Sequence, residues 1–387
     1  MRIALVIERI ETWRGGAETS TIQFAQQAAQ RGCKVTLVTA SRGQSPPGVS
    51  VLTIPAASTL RAQRTLLFAR RAAAAAQREG FDIVHAITPC PGAHLYEPRG
   101  GAVPEMLSRN VALRRSRLHQ GVKRLRDRLN LKYRVLLRLE RTLVQHKPPP
   151  LIVAISRYVA EQFRTHYGVE EDRIRLVFNG VDLDPSDRAR READDEEIRQ
   201  QYDVGRQEKL VLCVAHNFKL KGVARLIEAV ALLPASRRRK IRVIIVGRDN
   251  PLPYVRLARR LDVMNRCVFA GSTERIAAFF HAADMVVHPT YYDPCSRVVL
   301  EALAAGVPVI TTRFNGAAEV MTEGRHGFIL DTPDDVSGLA DRMERLLEDP
   351  LRKQCAEAAH RLASRVCMDR HADEIVKLYR ELREARS

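Results

Sequence analysis

Two carboxylates eight positions apart carry the first chemical signal of this chain: Asp293 and Glu301, in Asp293-Pro294-Cys295-Ser296-Arg297-Val298-Val299-Leu300-Glu301. Ser296 is placed to open a helix, and the backbone N–H groups of Cys295, Ser296 and Arg297 would then face anionic oxygens. A carboxylate inside that helix can accept two hydrogen bonds from a ribose diol. A capping Asp followed by an ordinary helical Glu would read the same in isolation. A second signal is Asn217-Phe218-Lys219-Leu220-Lys221-Gly222. Two lysines at a helix start neutralise a diphosphate by point charge and helix dipole. A third is Trp13-Arg14-Gly15-Gly16-Ala17-Glu18, a glycine loop that opens a helix and lets backbone approach a phosphate. No GxGxxG fingerprint occurs, which disfavours a dinucleotide site.

These loops need strands before them and helices after them, and the chain supplies both. Apolar runs predict strands at Arg2–Ile7, Lys34–Thr39, Ser50–Ile54, Asp82–Ile87 and Leu151–Ile155, with helical stretches between. The alternation restarts with strands at Leu210–Ala215, Ile241–Gly247, Val268–Gly271, Asp284–His288 and Val307–Thr312. The charged stretch Asp184–Glu197 is expected to be a linker. Continuous runs such as Val243-Ile244-Ile245-Val246 fit parallel strands covered on both faces. The fold class expected is α/β, two doubly wound domains spanning 1–180 and 181–365. In such sheets ligands bind outside the carboxyl ends of the strands.

With 45% hydrophobic and 28% charged residues, the 387-residue chain is neither fibrous nor disordered. Its seven cysteines are odd in number, scattered and without a CxxC pair. That fits a reducing compartment and argues against a zinc ribbon or a disulfide framework. No apolar run approaches the roughly 18 residues of a spanning helix. Met1–Glu8 reads as a strand rather than a leader, so the protein is expected in the cytoplasm. The formal net charge is +18, and the segment Arg99–Lys147 holds fourteen Lys and Arg against three acids. Leu118, Val122, Leu125, Leu129, Leu136, Leu139 and Leu143 recur there at helical spacing. This predicts one or two basic amphipathic helices, either a solvated face or a surface for an anionic membrane or acceptor. Nucleic acid ranks low, since only 5% of residues are aromatic and no zinc-finger or RNA-binding signature is present.

The run from His288 to Glu319, HPTYYDPCSRVVLEALAAGVPVITTRFNGAAE, closely resembles the carboxyl-terminal signature of glycosyltransferase family 4. Asn179-Gly180-Val181-Asp182, Ala154-Ile155-Ser156, Lys221-Gly222 and Gly15-Gly16 resemble further motifs of that family. Within it, Gly222–Pro234, Val246-Gly247-Arg248-Asp249 and Pro91-Gly92 are most similar to the glucosyltransferases of the lipopolysaccharide inner core. The first acid here is Asp293, where the family more commonly has Glu.

The resemblance implies a retaining, nucleotide-sugar-dependent enzyme of the GT-B fold, two Rossmann-like domains facing a central cleft. The last helix, 366–387, would pack back on the first domain. Glu301 is implied to hold the donor ribose and Asp293 the donor sugar hydroxyls, with the backbone of Pro294, Cys295, Ser296 and Arg297 around the sugar and phosphate. Lys221 is implied to bind the diphosphate, with Lys219 standing where many relatives have Arg. His85 is matched to a histidine at the reaction centre, and Arg248, Gly271 and Ser272 to the base. His288, at a strand end, would serve packing. Retention then needs no protein nucleophile, because the departing phosphate accepts the acceptor proton. No metal or other cofactor is expected, and Asp182-Leu183-Asp184 falls in the linker turn. The expected donor is UDP-glucose. The expected acceptor is an anionic or phosphorylated glycan such as the lipopolysaccharide core, met at the inner face of a membrane through 99–147. The alternatives are a nucleotide-sugar epimerase of related architecture and a non-catalytic basic scaffold.

Overall fold

The strand β1 (Arg2–Val6) is apolar from Ile3 onward and buried over that run, as a strand covered on both faces must be. It is followed by α1 (Gly16–Gln30), β2 (Lys34–Thr39), β3 (Ser50–Thr53), α2 (Arg61–Glu79), β4 (Ile83–Ala86) and β5 (Leu95–Tyr96). Three helices come next, α3 (Val103–Ala112), α4 (Arg117–Leu129) and α5 (Leu131–Val144), then β6 (Leu151–Ala154), α6 (Arg157–Tyr167) and β7 (Ile174–Leu176). Ser156 caps α6 by accepting the Val159 N–H at 3.1 Å, and Gly168 closes it in the left-handed region. The strands form one parallel sheet in the order β3-β2-β1-β4-β5-β6-β7.

The structure, a computed structural model, describes residues 1–11, 15–41, 45–114, 116–182 and 188–386. Trp13, Arg14, Leu183 and Asp184, singled out above, lie outside the described residues.

A second parallel sheet follows. Its elements are α7 (Arg188–Gln201), β8 (Lys209–Val214), α8 (Val223–Leu232), α9 (Ala235–Arg238), β9 (Ile241–Val246), α10 (Leu252–Arg260) and β10 (Cys267–Gly271). They continue with α11 (Ile276–Ala282), β11 (Met285–His288), α12 (Arg297–Ala304), β12 (Val309–Thr312), β13 (Gly327–Leu330), α13 (Val336–Leu346) and α14 (Asp349–His360). The order is β10-β9-β8-β11-β12-β13. The core joins Val211 of β8 and Val243 and Ile245 of β9 to Leu226, Ile227 and Val230 of α8.

By internal contacts the chain divides into Met1–Gly180 with Met368–Ser387, and Val181–Cys367. The final helix α15 (Met368–Glu384) thus belongs with the first unit, where Ile375, Val376 and Tyr379 are buried among Ile3, Leu5 and Phe24.

Contrary to expectation, residues 188–197 are not linker but the greater part of α7. Its charges are paired along the helix, Arg199 Nε lying 2.7 Å from Asp195 Oδ1. The buried Asp194 accepts from His281 Nδ1 of α11 at 2.7 Å, and Ile198, one turn further along, is buried as well. With Arg199 Nη2 2.9 Å from Asp284 Oδ2 and Arg191 Nη2 donating to the Ala305 carbonyl at 2.6 Å, they fix a polar helix to its unit.

Candidate active site

Each sheet reverses its winding direction once, between β1 and β4 in the first unit and between β8 and β11 in the second. The crevice beyond such a switch point is where open α/β sheets bind ligands. In the second unit the two loops that flank it are 215–222, after β8, and 289–296, after β11. They are stitched together by backbone: the Tyr291 N–H donates to the Leu220 carbonyl at 2.9 Å, and the Thr290 hydroxyl donates to the same oxygen at 3.2 Å. Gly222 makes the approach possible. Its φ is +72°, and a Cβ there would stand 2.1 Å from the Pro289 carbonyl oxygen. No side chain fits, in either conformation or space.

The approach brings Lys221 to Asp293. The ammonium lies 2.5 Å from Asp293 Oδ2, and 3.4 Å from the Tyr292 carbonyl. Their side chains are 18% and 15% exposed. Burial pushes the Asp293 carboxyl upward, but the Lys221 charge and the neighbouring His288 outweigh it and hold the group well below the usual carboxylate range. His288 Nε2 lies 3.7 Å from Asp293 Oδ2 and 3.5 Å from Ser296 Oγ, and burial lowers its basicity. Asp293 is also anchored by backbone, its N–H donating to the Phe314 carbonyl and its carbonyl accepting from the Gly316 N–H, both at 2.9 Å. The result is a fixed, ionised carboxylate with a cation on one side.

Glu301 sits on the second turn of α12, where Arg297 Nη2, one turn earlier, is 3.1 Å from Glu301 Oε1. Burial raises the Glu301 carboxyl, and Arg297 opposes the rise. Pro294, Cys295 and Ser296 form the entry to this helix, with Cys295 and Ser296 buried. The expected trio of N–H groups facing an anion is corrected at Ser296. Its N–H donates to Asn315 Oδ1 at 3.1 Å, and Asn315 in turn donates to Thr311 Oγ1 at 3.0 Å. Asn315 thereby pins the start of α12 to the end of β12.

Lys219, Arg248 and Ser272 are exposed at the carboxyl ends of β8, β9 and β10, along the same edge of the sheet. Gly271 is the last residue of β10. Arg248 and Lys221 both bear on His216, whose basicity is lowered by burial and then by those two charges. Gly247, between β9 and Arg248, has φ +154°, and a Cβ there would meet the Ala215 carbonyl at 1.6 Å.

The first unit holds the remaining expected residues. Gly16 begins α1, and Gly15 before it is extended, so its φ gives no reason for glycine; the space around it is open except for Glu18 Oε2 at 3.3 Å. His85 is a correction. It is fully buried, with Nδ1 2.6 Å from the Tyr379 hydroxyl and Nε2 3.2 Å from Glu97 Oε2. Phe24 and Tyr379 pack edge-on against the ring. Both nitrogens face protein groups and no solvent reaches either, so His85 holds α15 to the sheet and does not meet a substrate.

Residues 14–185 match the family model described as Glycosyltransferase Family 4, and residues 194–362 match that of Glycosyl transferases group 1. The chain is a family 4 glycosyltransferase. Its two parallel-sheet, Rossmann-like units are those of the GT-B fold. The glycosyltransferase is 28% identical to the lipopolysaccharide glucosyltransferase WaaG of Escherichia coli (strain K12) over 352 residues, 90% of this chain and 91% of that one. It is also 28% identical to the D-inositol 3-phosphate glycosyltransferase of Nocardiopsis dassonvillei over 397 residues, 95% and 89% of the two chains. The crystal structure of WaaG, described as involved in lipopolysaccharide biosynthesis, matches with a TM-score of 0.83 at 25% identity, covering 97% and 99% of the chains. Anabaena Alr3699/HepE, crystallised with UDP-glucose, shares the fold with a TM-score of 0.72 at 21% identity, covering 98% of this chain and all of that one.

Sequence reasoning passed over Asn315, although it lies within the run that resembles the family. It also passed over Arg225, whose Nε donates to the Tyr291 hydroxyl at 2.9 Å and whose Nη1 meets Glu228 at 2.6 Å. That contact steadies the loop carrying Asp293 from behind, and nothing in the spacing of the two residues announces it.

Proposed function

We propose that this glycosyltransferase moves a hexose, glucose before others, from a UDP-sugar to a glycan acceptor carried on a lipid, with retention at the anomeric carbon. The observation that carries the reading is the Lys221–Asp293 pair at the switch point of the second sheet. The glucosyltransferase name of WaaG supports the sugar and the class of acceptor.

In this reading Lys221 turns its charge to the donor diphosphate, while Asp293, kept ionised, accepts hydrogen bonds from the sugar hydroxyls. Glu301 accepts from the ribose diol. The bond between the anomeric carbon and the diphosphate oxygen breaks, and the acceptor oxygen bonds to the same face of that carbon. The acceptor proton passes to the departing phosphate. The protein's share is positioning and charge stabilisation, for which Lys221 and the exposed Lys219 suffice without a divalent ion.

The membrane contact belongs to α4. Leu118, Val122, Leu125 and Leu129 fall on one face at helical spacing, and with Leu131 they are between 59% and 75% exposed. Arg117, Lys123, Arg124, Arg126 and Arg128 share the helix. An exposed apolar stripe beside basic residues lies in the plane of an anionic lipid surface. Among the described residues no helix is long and apolar enough to cross a membrane.

A thermal-shift series with UDP-glucose, UDP-galactose, UDP-N-acetylglucosamine, GDP-mannose and ADP-glucose, each with and without Mg²⁺, tests the donor. A ligand at about 100 times its dissociation constant stabilises by about 2.7 kcal/mol. The expected result is a response to UDP-sugars that is indifferent to Mg²⁺ and absent in Glu301→Gln. A response to GDP- or ADP-sugars alone, or none to any, overturns the reading.

A further inference from the structure

In the first unit a cavity of about 430 Å³ opens at the carboxyl ends of β1 and β2. That is the size of a small-molecule site. Four cations line it, Arg9, Arg61, Arg64 and Lys132, against two acids, Glu8 and Glu11. Arg61 and Arg64 stand three apart at the start of α2, and Lys132 is the second residue of α5. All three therefore sit at helix amino ends, where the helix dipole opposes positive charge, and neither first turn carries an acid. Burial lowers the basicity of Lys132; Glu8 pulls it back, while Arg9, Arg61 and Arg64 press it further down. Arg64 Nε is shut away from solvent with no hydrogen-bond acceptor among the described residues. Glu8 already accepts from the Thr65 hydroxyl at 3.3 Å, so it is anchored from behind. Cations gathered against both their helices and one another call for an anion beyond the two carboxylates that the described residues bring to the cavity.

We propose that this cavity seats a phosphate monoester carried on the sugar acceptor, the four cations holding the phosphate and the carboxylates of Glu8 and Glu11 accepting sugar hydroxyls. The two-charge excess of cations over acids matches the charge of about −1.5 to −2 on such a group, and a carboxylate would leave half of it unmet. The inference rests on the transferase reading above for the word acceptor, but its chemistry stands in the first unit alone. Lys132 follows closely on the exposed end of α4, so a phosphorylated glycan on a lipid would meet the cavity beside the membrane-facing helix.

Isothermal titration of the whole protein with glucose 6-phosphate, glucose and inorganic phosphate, and sedimentation with vesicles containing phosphatidic acid, test it. Glucose 6-phosphate is expected to bind at least about tenfold more tightly than glucose or phosphate, and Arg64→Gln or Lys132→Gln to weaken it about tenfold each, the worth of one charged hydrogen bond. Both variants should melt no lower than the parent without ligand, since they relieve repulsion, and should keep the stabilisation by UDP. Equal binding of the three probes, or binding that ignores both variants, overturns the proposal. So does loss of vesicle binding in the variants with no glucose 6-phosphate binding in the parent, which assigns the cavity to a lipid headgroup. Failure of every nucleotide sugar to stabilise the protein, with glucose 6-phosphate still bound, refutes the transferase reading and leaves the phosphate site standing.

Discussion

Lys221 Nζ rests 2.5 Å from Asp293 Oδ2, although the two side chains come from loops after different strands, β8 and β11. The pair closes the switch point of the second sheet and prepares a cation and an anion in one place before any donor arrives.

Removing the cation should therefore cost twice. In Lys221→Met, kcat/KM is expected to fall by about 10²–10³, the range for losing one preorganised electrostatic contact. Asp293 is left in a largely buried site without its partner, which should lower stability by about 1–3 kcal/mol, less than for a wholly buried pair because both groups keep some solvent. Steady-state kinetics and urea unfolding read the two effects. Unchanged kinetics would remove Lys221 from the mechanism.

Gly222→Ala tests the loop contact behind that pair. The new Cβ would collide with the Pro289 carbonyl, 2.1 Å away, at a φ of +72° that itself costs about 1–2 kcal/mol for a side chain. A melting point several degrees lower is expected, with UDP-glucose binding weakened about tenfold or more as the Lys221 loop is pushed aside. A melting curve that overlays the parent's would show that the loops are not held as described.

The stripe on α4 predicts a separation of membrane binding from stability. Leu118→Ser and Leu125→Ser change side chains that are 75% and 60% exposed, so the melting point should hold. Each loses apolar surface worth about 1.5–3 kcal/mol when buried in lipid, so vesicle partitioning should drop by about tenfold or more per substitution. Sedimentation with anionic vesicles measures it, and full binding by the double variant would place the contact elsewhere.

Acid should weaken the first unit through its buried histidines. Glu97, Arg99, His85 and His371 are buried together, with Arg99 Nε 2.8 Å from Glu97 Oε1. Burial lowers His371 to about 4, with Glu97 opposing and Arg99 and Arg370 adding to the fall. An unfolded histidine takes its proton near 6.5, so between 6.5 and about 4 the unfolded chain binds a proton that the folded one refuses. This contribution is whole above pH 6.5 and drains away as pH falls to about 4, by up to about 3 kcal/mol. Urea unfolding at pH 7.5, 6 and 5 should show a steady decline that is shallower in His371→Gln; a flat profile would contradict the buried, neutral ring.

The strands were legible because burial on both faces writes them as unbroken apolar runs: Lys34–Thr39 is found where it is predicted, and Ile241–Val246 differs by one residue. Asp293, Lys221 and Glu301 were legible as motifs, and the reversal of strand order explains why loops so distant in sequence meet. The roles that failed depend on direction rather than position. His85 lies at a strand end as expected, but β4 turns it into the core toward Tyr379. The Ser296 N–H is at a helix start as expected, but Asn315, from beyond the next strand, has taken it. α7 reads as linker because its buried face contains an acid instead of an apolar row. β5, two residues long, and β13, begun by a glycine, carry too little pattern to register. The cations of the first-unit cavity come from separate segments of the chain, which only the fold assembles.

α15 has a consequence for the order in which the chain is made. The second unit, Val181–Cys367, is one unbroken stretch, whereas the first is completed by Met368–Ser387. On a ribosome the first unit is begun first, yet the socket for Tyr379 between His85 and Phe24 stays unfilled until α15 emerges. The unit that is translated second is thus the first able to reach its native state, and the unit translated first must wait, its sheet formed but one side uncovered, for the helix that follows the second unit.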